Sequence, residues 1–183
     1  NVLVGGAGID RLDGGLGADT LIGGTDIDFY YVDDAGDVVI ELADEGIDWV
    51  SSTISYTLGA EVERLTLKQV ATALNGTGNA LDNTLVGNWY ANILDGKAGA
   101  DTMEGGVGDD IYVVDNAGDV VVEGSDLVGD DWGTDLVKSS ISYTLPTFVD
   151  NLTLTGTTSL NGTGNALNYA VTGNSSNNAL AGE

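Results

Sequence analysis

The sequence contains no cysteine and no histidine, and a single proline among its 183 residues. These absences exclude disulfides, zinc sites built from cysteine and histidine, and catalysis that depends on histidine. No run of about 18 apolar residues is present, so the sequence predicts no membrane insertion. Only 5 side chains are basic against 29 acidic ones, which gives a formal net charge of -24. A surface of this charge repels nucleic acid and anionic lipid, and we expect neither as a partner.

Residues 5–40 form four consecutive nonapeptides, GGAGIDRLD, GGLGADTLI, GGTDIDFYY and VDDAGDVVI. Each has an aspartate at its sixth place and an apolar or aromatic residue at its eighth. The sixth-place residues are Asp10, Asp19, Asp28 and Asp37, and the eighth-place residues are Leu12, Leu21, Tyr30 and Val39. A fixed short period predicts coils that stack on one another, and the last three places of each repeat suit a short strand.

The chemistry of the turns favours calcium as a ligand. Glycine reaches backbone conformations closed to other residues, so Gly-Gly-x-Gly turns tightly with its carbonyls pointing inward. Calcium takes about six to eight oxygens, from carboxylates and carbonyls alike. The alternative, a glycine-rich acidic linker, gives no reason for four repeats in register. On these motifs the sequence resembles the RTX (repeats-in-toxin) family of haemolysin-type calcium-binding nonapeptide repeats.

The resemblance implies an all-β chain, folded as a right-handed parallel β-roll or β-helix solenoid with Ca2+ between stacked turns. Two nonapeptides make one coil, so Asp10 is expected over Asp28 and Asp19 over Asp37. In the family, both stacked aspartates and backbone carbonyls of both turns hold the ion. The implied metal ligands are the aspartates Asp10, Asp19, Asp28, Asp37, Asp101, Asp110 and Asp119, the carbonyl donors Gly6, Gly8, Gly15 and Gly17, and the further turn glycines Gly5, Gly14, Gly23, Gly106 and Gly108.

The second half of the chain repeats the first. Nonapeptides return from Gly78, and NGTGNAL occurs at both 75–81 and 161–167, a shift of 86 residues. This indicates two copies of a unit of approximately that length. We predict one continuous solenoid fragment over residues 1–183. Its parts are a first RTX block (1–41), β-rich linking coils (42–74), a mixed RTX and asparagine block (75–123), further β-rich linking coils (124–160) and an asparagine-type block (161–183).

Two repeats of the second block carry asparagine instead of aspartate, at Asn83 and Asn92. Two interpretations stay open for them. The asparagines form a metal-free hydrogen-bonded ladder, or they contribute to weaker mixed sites such as Asn83 over Asp101. Asp26 and Lys97 also depart from the glycine pattern, and these departures bear on the number of ions. For Lys97 an outward side chain would leave its carbonyl available.

No catalytic constellation is recognisable in the sequence. A nucleophile–histidine pair, a phosphate-binding loop and a dinucleotide fingerprint are all missing, and the repeats account for many of the aspartates. We therefore predict a calcium-binding structural module that is not an enzyme. The resemblance implies a secreted or cell-surface protein of a Gram-negative bacterium, exported by type I secretion and folding on calcium afterwards. Both ends interrupt the repeat pattern, which predicts flanking domains in a larger polypeptide.

Two further hypotheses concern the role of the module. It could be the export and folding tail of a secreted hydrolase, or a spacer in an adhesin. Alternatively it binds carbohydrate through exposed aromatic residues, for which the candidates are Trp49, Trp89, Tyr90 and Trp132. Core packing is the favoured interpretation of Trp49, which lies in a strand-like run. Trp89 and Tyr90 fall within a repeat turn and are expected to be exposed.

Overall fold

The computed structural model of the protein describes residues 1–123, 133–166 and 170–182, and these contain twenty β-strands and no helix. Accordingly, no helix in the described ranges is long and apolar enough to cross a membrane. The strands are β1 Val2–Ala7, β2 Arg11–Asp13, β3 Thr20–Thr25, β4 Phe29–Val32, β5 Val38–Ile40, β6 Trp49–Ser52, β7 Tyr56–Thr57, β8 Arg64–Leu67, β9 Asn75–Thr77, β10 Thr84–Val86, β11 Ile93–Asp95, β12 Thr102–Glu104, β13 Ile111–Val114, β14 Val120–Val122, β15 Leu136–Ser139, β16 Tyr143–Thr144, β17 Asn151–Leu154, β18 Asn161–Thr163, β19 Ala170–Thr172 and β20 Ala179–Ala181.

Each of these strands pairs in parallel with the strand two places away in the chain. Odd-numbered strands form one side of the stack, as the sheets β1–β3–β5 and β7 to β19, and even-numbered strands form the other, as β2 to β14 and β16–β18–β20. A parallel pair needs a crossover connection, and here the strand on the opposite side supplies it. The chain is therefore a parallel β-solenoid with two strands to a coil, as the nonapeptide period predicts.

Register is kept although the coils differ in length. Arg11 pairs with Phe29, Phe29 with Trp49, and Trp49 with Arg64, steps of 18, 20 and 15 residues. The pairing remains continuous because the turns, and not the strands, absorb the difference. Linking coils and nonapeptide blocks thus belong to the same stack.

The core is a stripe of apolar side chains between the two sides of the solenoid. All four eighth-place residues of the first block are buried, namely Leu12, Leu21, Tyr30 and Val39. Registered neighbours such as Leu12 and Tyr30 lie one above the other along the stack. Burying a side chain of this size stabilises the fold by about 1.5–3 kcal/mol. The linking coils also alternate buried and outward residues along their strands, for example in β6 and β8.

The expectation of core packing for Trp49 is wrong. In β6 the buried residues are Val50 and Ser52, so Trp49 lies on the outer face of the sheet. There its ring stacks on Phe29, with centroids 5.9 Å apart and planes 13° from parallel, and the Arg64 guanidinium lies 4.4 Å from its centroid. Register places these three residues side by side on consecutive strands.

Candidate metal centre

In the nonapeptides that begin with glycine and carry aspartate, the first and sixth places meet within the turn. A β-carbon added at Gly5 would lie 2.5 Å from Asp10 Oδ2, and one at Gly14 would overlap the carboxylate of Asp19. The same overlap arises for the pairs Gly23–Asp28, Gly96–Asp101 and Gly105–Asp110. In these turns glycine is therefore required at the first place, because the aspartate of the same turn folds back over it.

Places two and four turn the backbone through conformations that favour glycine. In the first turn Gly6 has φ of 113° and Gly8 of 103°, and the next turn has 72° at Gly15 and 96° at Gly17. Gly106 and Gly108 repeat this at 92° and 125°.

The two departures from the glycine pattern keep its backbone shape. Asp26 at place four has φ of 82°, and Lys97 at place two has φ of 68°. The Lys97 side chain is exposed, and its Nζ donates to Asp95 Oδ2 at 2.8 Å. Its charge is thus paired on the surface, as expected for a residue that contributes to the turn only through its backbone.

Aspartates of successive coils stack on both edges of the solenoid. Asp10 N donates to Asp28 Oδ1 at 2.8 Å, and Asp19 N donates to Asp37 Oδ1 at 3.0 Å. The predicted pairs Asp10 over Asp28 and Asp19 over Asp37 are therefore confirmed. In the second block Asp101 N donates to Asp119 Oδ1 at 3.1 Å. Backbone register alone places one carboxylate against the next along each edge.

The second oxygens of these carboxylates fit a hard cation. Asp10, Asp19, Asp28 and Asp101 each keep one buried oxygen, Oδ2, without a hydrogen-bond partner in the protein. A buried unpaired carboxylate oxygen costs free energy comparable to a lost charged hydrogen bond. Calcium binds carboxylate and carbonyl oxygens, so the residues present match the ion that the family implies.

The comparisons with known proteins agree with this geometry. The family model for the RTX calcium-binding nonapeptide repeat (4 copies) matches residues 1–30, 77–112 and 86–121. These segments are RTX calcium-binding nonapeptide repeats. No curated protein and no solved structure gave a match to the chain. RTX repeats in a parallel β-solenoid fit a calcium-binding structural module.

Two of the stacked aspartates, Asp28 and Asp101, have raised pKa values. Burial raises the pKa of Asp28, and the carboxylates of Asp10 and Asp26 add to this. Burial likewise raises the pKa of Asp101 to about 6, with a further contribution from Asp119. Both shifts have the direction expected when burial and neighbouring carboxylates disfavour the charged form.

Asp37 and Asp119 end their RTX blocks in a different arrangement. Asp37 Oδ1 accepts from Asp19 N, and Oδ2 accepts from the backbone nitrogens of Asp33 and Asp34 at 3.0 and 3.1 Å. Asp119 Oδ2 is engaged in the same way by Asp115 N and Asn116 N, each at 3.0 Å. These carboxylates close a local turn. Their role as metal ligands stays a prediction, and it competes with these hydrogen bonds.

The asparagine repeats form a hydrogen-bonded ladder. Asn83 Nδ2 donates to Val62 O at 3.1 Å, and Asn92 Nδ2 donates to Leu74 O at 2.6 Å. Asn83 N in turn donates to Asp101 Oδ1 at 2.7 Å, so Asn83 does lie over Asp101. The side-chain amide supplies both donor and acceptor: Asn83 Nδ2 reaches the preceding coil, and Asn83 Oδ1 accepts from Asn79 N at 2.7 Å within its own turn.

Two buried carboxylate clusters include residues that the repeat pattern did not indicate. Asp28, Glu41 and Asp48 each place a carboxylate oxygen within 4.8 Å of the others, and Asp110, Glu123 and Asp135 do the same in the second copy. The sequence signal for Glu41 and Glu123 is their recurrence directly after VDDAGDVVI and VDNAGDVVV.

The candidate glycan-binding aromatics lie in different places. The exposed fraction of Trp89 is 68% and that of Tyr90 is 44%, so their predicted exposure is confirmed. Trp49 belongs to the outer stack with Phe29 and Arg64. Trp132 lies outside the described residues.

Proposed function

We propose that this chain is a calcium-dependent structural module of a secreted or cell-surface protein, which folds when it meets calcium outside the cell. The observation that carries the proposal is the stack of aspartates with buried oxygens that no protein group satisfies, at Asp10, Asp19, Asp28 and Asp101. A divalent ion between stacked turns supplies the missing partner and offsets the repulsion between neighbouring carboxylates.

The free energy involved is large enough to control folding. Extracellular calcium modules bind with dissociation constants of about 10⁻⁴–10⁻³ M. At a calcium concentration of about ten times the dissociation constant, each site adds about 1.4 kcal/mol through mass action. About four such sites contribute about 6 kcal/mol, comparable to the whole stability of an ordinary domain. At the far lower calcium of a cytosol this contribution is lost, and the repulsion within a chain of net charge -24 remains.

This energetics suits export of the chain before it folds. We propose, on the resemblance to RTX proteins, that the module belongs to a protein that leaves a Gram-negative bacterium by type I secretion. Flanking domains in the same polypeptide would supply any activity, as in a secreted hydrolase or an adhesin. The module itself would then act as the part that folds on calcium.

Circular dichroism of the full chain tests the proposal. In excess EGTA we expect a largely disordered spectrum, and in millimolar calcium a β-spectrum. Magnesium at the same concentration is the matched control, because its strict octahedral geometry suits a site of mixed carbonyls and carboxylates poorly. A complete β-spectrum in EGTA would remove the calcium switch.

A second candidate function, carbohydrate binding, is favoured by the exposure of Trp89 and Tyr90. Adjacent exposed aromatic rings offer apolar faces with a polar edge, which suit sugar rings. Affinity-gel retardation on immobilised glycans should be lost in Trp89→Ala. Trp49→Ala, whose ring is covered by Arg64, serves as the control.

A further inference from the structure

We propose that Asp28, Glu41 and Asp48 form a calcium site of a second type, built from three side-chain carboxylates, with Asp110, Glu123 and Asp135 as its equivalent in the second copy. The inference rests on the proposed function in taking calcium as the ion of the module. Glu41, Asp48, Glu123 and Asp135 lie outside the segments that match the RTX repeat. The repeat therefore does not account for this site.

Each carboxylate of the first cluster is held through one oxygen. Asp28 Oδ1 accepts from Asp10 N at 2.8 Å, Asp48 Oδ1 accepts from Asp28 N at 2.8 Å, and Glu41 Oε1 accepts from the hydroxyl of Tyr30. The other oxygens, Asp28 Oδ2, Glu41 Oε2 and Asp48 Oδ2, are buried and have no hydrogen-bond partner in the protein. Each side chain is thus fixed in place with one oxygen left to bind an ion.

The three carboxylates are buried, and such burial is costly unless a cation or bound protons neutralise their charge. Asp28 and Asp48 are fully buried, and the exposed fraction of Glu41 is 7%. Salt bridges in the described ranges join Lys97 to Asp95 and the amino terminus to Asp19, so neither reaches this cluster. Burying unpaired charges costs several kcal/mol per ion, which a bound divalent cation offsets.

The spacing of the oxygens suits calcium. Calcium–oxygen distances are about 2.3–2.6 Å, so two oxygens on one ion lie up to about 5 Å apart. One oxygen from each of Asp28, Glu41 and Asp48 lies within 4.8 Å of the other two. A single ion can therefore contact all three side chains after small adjustments.

Glu41 stands where earlier coils of the stack have glycine. Val4, Ile22 and Ile40 are in register, and the residues that follow them are Gly5, Gly23 and Glu41. A β-carbon at Gly23 would lie 2.5 Å from Glu41 Oε1. The bare backbone of Gly23 thus leaves the space that the Glu41 carboxylate fills. A side-chain oxygen enters at the point where the glycine turns end.

The second copy keeps the arrangement across a change in chain length. Asp110 and Glu123 lie 82 residues after Asp28 and Glu41, whereas Asp135 lies 87 residues after Asp48. The segment between glutamate and aspartate is therefore five residues longer, yet the three carboxylates still converge. Tyr112 donates to Glu123 as Tyr30 does to Glu41. Convergence despite the insertion points to a role for the cluster itself.

Calcium stoichiometry of the full chain tests the proposal. Equilibrium dialysis would compare the wild type with E41Q, E123Q and the double variant, and circular dichroism in saturating calcium would check folding. We expect each single variant to bind one ion fewer and the double variant two fewer. E104Q is the matched control, because Glu104 is exposed on β12 and belongs to neither cluster. A folded E41Q with unchanged stoichiometry and affinity would overturn the site.

Tyr30→Phe keeps all three carboxylates and removes only the hydroxyl that orients Glu41. Loss of such a supporting hydrogen bond weakens metal affinity by about 10-fold or more. We expect one ion to bind about 10-fold more weakly at unchanged stoichiometry, with Tyr90→Phe as the control. If E41Q does not fold, unchanged calcium affinity in Tyr30→Phe contradicts the proposal instead. A wild type whose spectrum does not respond to calcium contradicts the proposed function, which separates the two failures.

Discussion

Two adjacent glycines in the first RTX turn should respond differently to the same substitution. A β-carbon at Gly5 meets Asp10 Oδ2 at 2.5 Å and Gly23 O at 2.7 Å. Gly5→Ala must therefore displace the carboxylate that faces Asp28. Gly6 has φ of 113° and nothing within 4 Å of an added β-carbon. Gly6→Ala strains the backbone but leaves the carboxylates in place.

The two effects differ in their dependence on calcium. Each ion bound on folding raises the free energy of unfolding by about 1.4 kcal/mol for every tenfold rise in free calcium. Gly5→Ala should lose the ion between Asp10 and Asp28. The slope of the free energy of unfolding against the logarithm of free calcium should therefore fall by about 1.4 kcal/mol per tenfold change. Gly6→Ala keeps the backbone carbonyl that is predicted to bind the ion. It should therefore lower the free energy of unfolding by about 1–3 kcal/mol at every calcium concentration, with the slope unchanged.

Urea unfolding followed by circular dichroism, at a series of calcium concentrations that all permit folding, measures both quantities. The adjacent variant is the control, because both substitutions add one methyl group to the same turn. Equal slopes for wild type and a folded Gly5→Ala would show that the stacked aspartates bind no ion, and would refute the reasoning.

Three further predictions follow from the same contacts. Asp37→Asn removes an acceptor from a carboxylate that receives three backbone N–H bonds. It should lower the free energy of unfolding by about 1–3 kcal/mol and leave the dependence of that free energy on calcium unchanged. A weaker dependence on calcium would instead make Asp37 a metal ligand. Asn83→Asp removes the N–H donor to Val62 O. If the ladder is metal-free, the denaturant midpoint should fall at every calcium concentration. A midpoint that returns to the wild-type value in calcium would support a mixed site. Burial, with the neighbouring carboxylates, raises the pKa of Glu41 to about 8 and that of Asp48 to about 6. These folded-state pKa values exceed the unfolded ones, so the calcium-free module should be more stable at about pH 5 than at about pH 8. The measurement is the denaturant midpoint in metal-free buffer. A midpoint that stays constant or rises with pH would contradict the prediction.

The nonapeptide period was sufficient to predict the stack and its aspartate pairs. Each nonapeptide contains one strand, so successive nonapeptides lie on alternate sides of the solenoid. Asp10 must then meet Asp28, one full coil later, and the hydrogen bond between them follows. The positive φ of Gly6 and Gly8 was predictable for the same reason, since a turn this short requires it.

The outer position of Trp49 was not predictable from alternation alone. Both phases of Trp49-Val50-Ser51-Ser52 contain one apolar residue and one serine. Register against the buried Tyr30 and Leu65 decides that Val50 faces inward. Ser52 tolerates the buried side because its Oγ donates to Ile54 O at 2.8 Å, at the corner that ends β6. The strand-like run that contains Trp49 ends at this corner, and β7 begins beyond it at Tyr56.

The carboxylate clusters could not be predicted because their members belong to different periods. Asp28 belongs to the nonapeptide series, whereas Glu41 and Asp48 flank a turn of a different length. Their convergence depends on how the irregular coil packs against the regular one. The hydrogen bond from Asp28 N to Asp48 Oδ1 joins the two coils at this point. Sequence spacing carries no information about such a contact unless the length of the turn is known.

A crystal structure of the chain grown in calcium, with an anomalous difference map, tests the central claim most directly. We predict an anomalous peak between the turns of Asp10 and Asp28. It should mark a calcium ion bound to Asp10 Oδ2, the oxygen that lacks a hydrogen-bond partner in the protein. A well-ordered map with no peak there, and with the two carboxylates bound only by water and backbone nitrogen, would contradict the account.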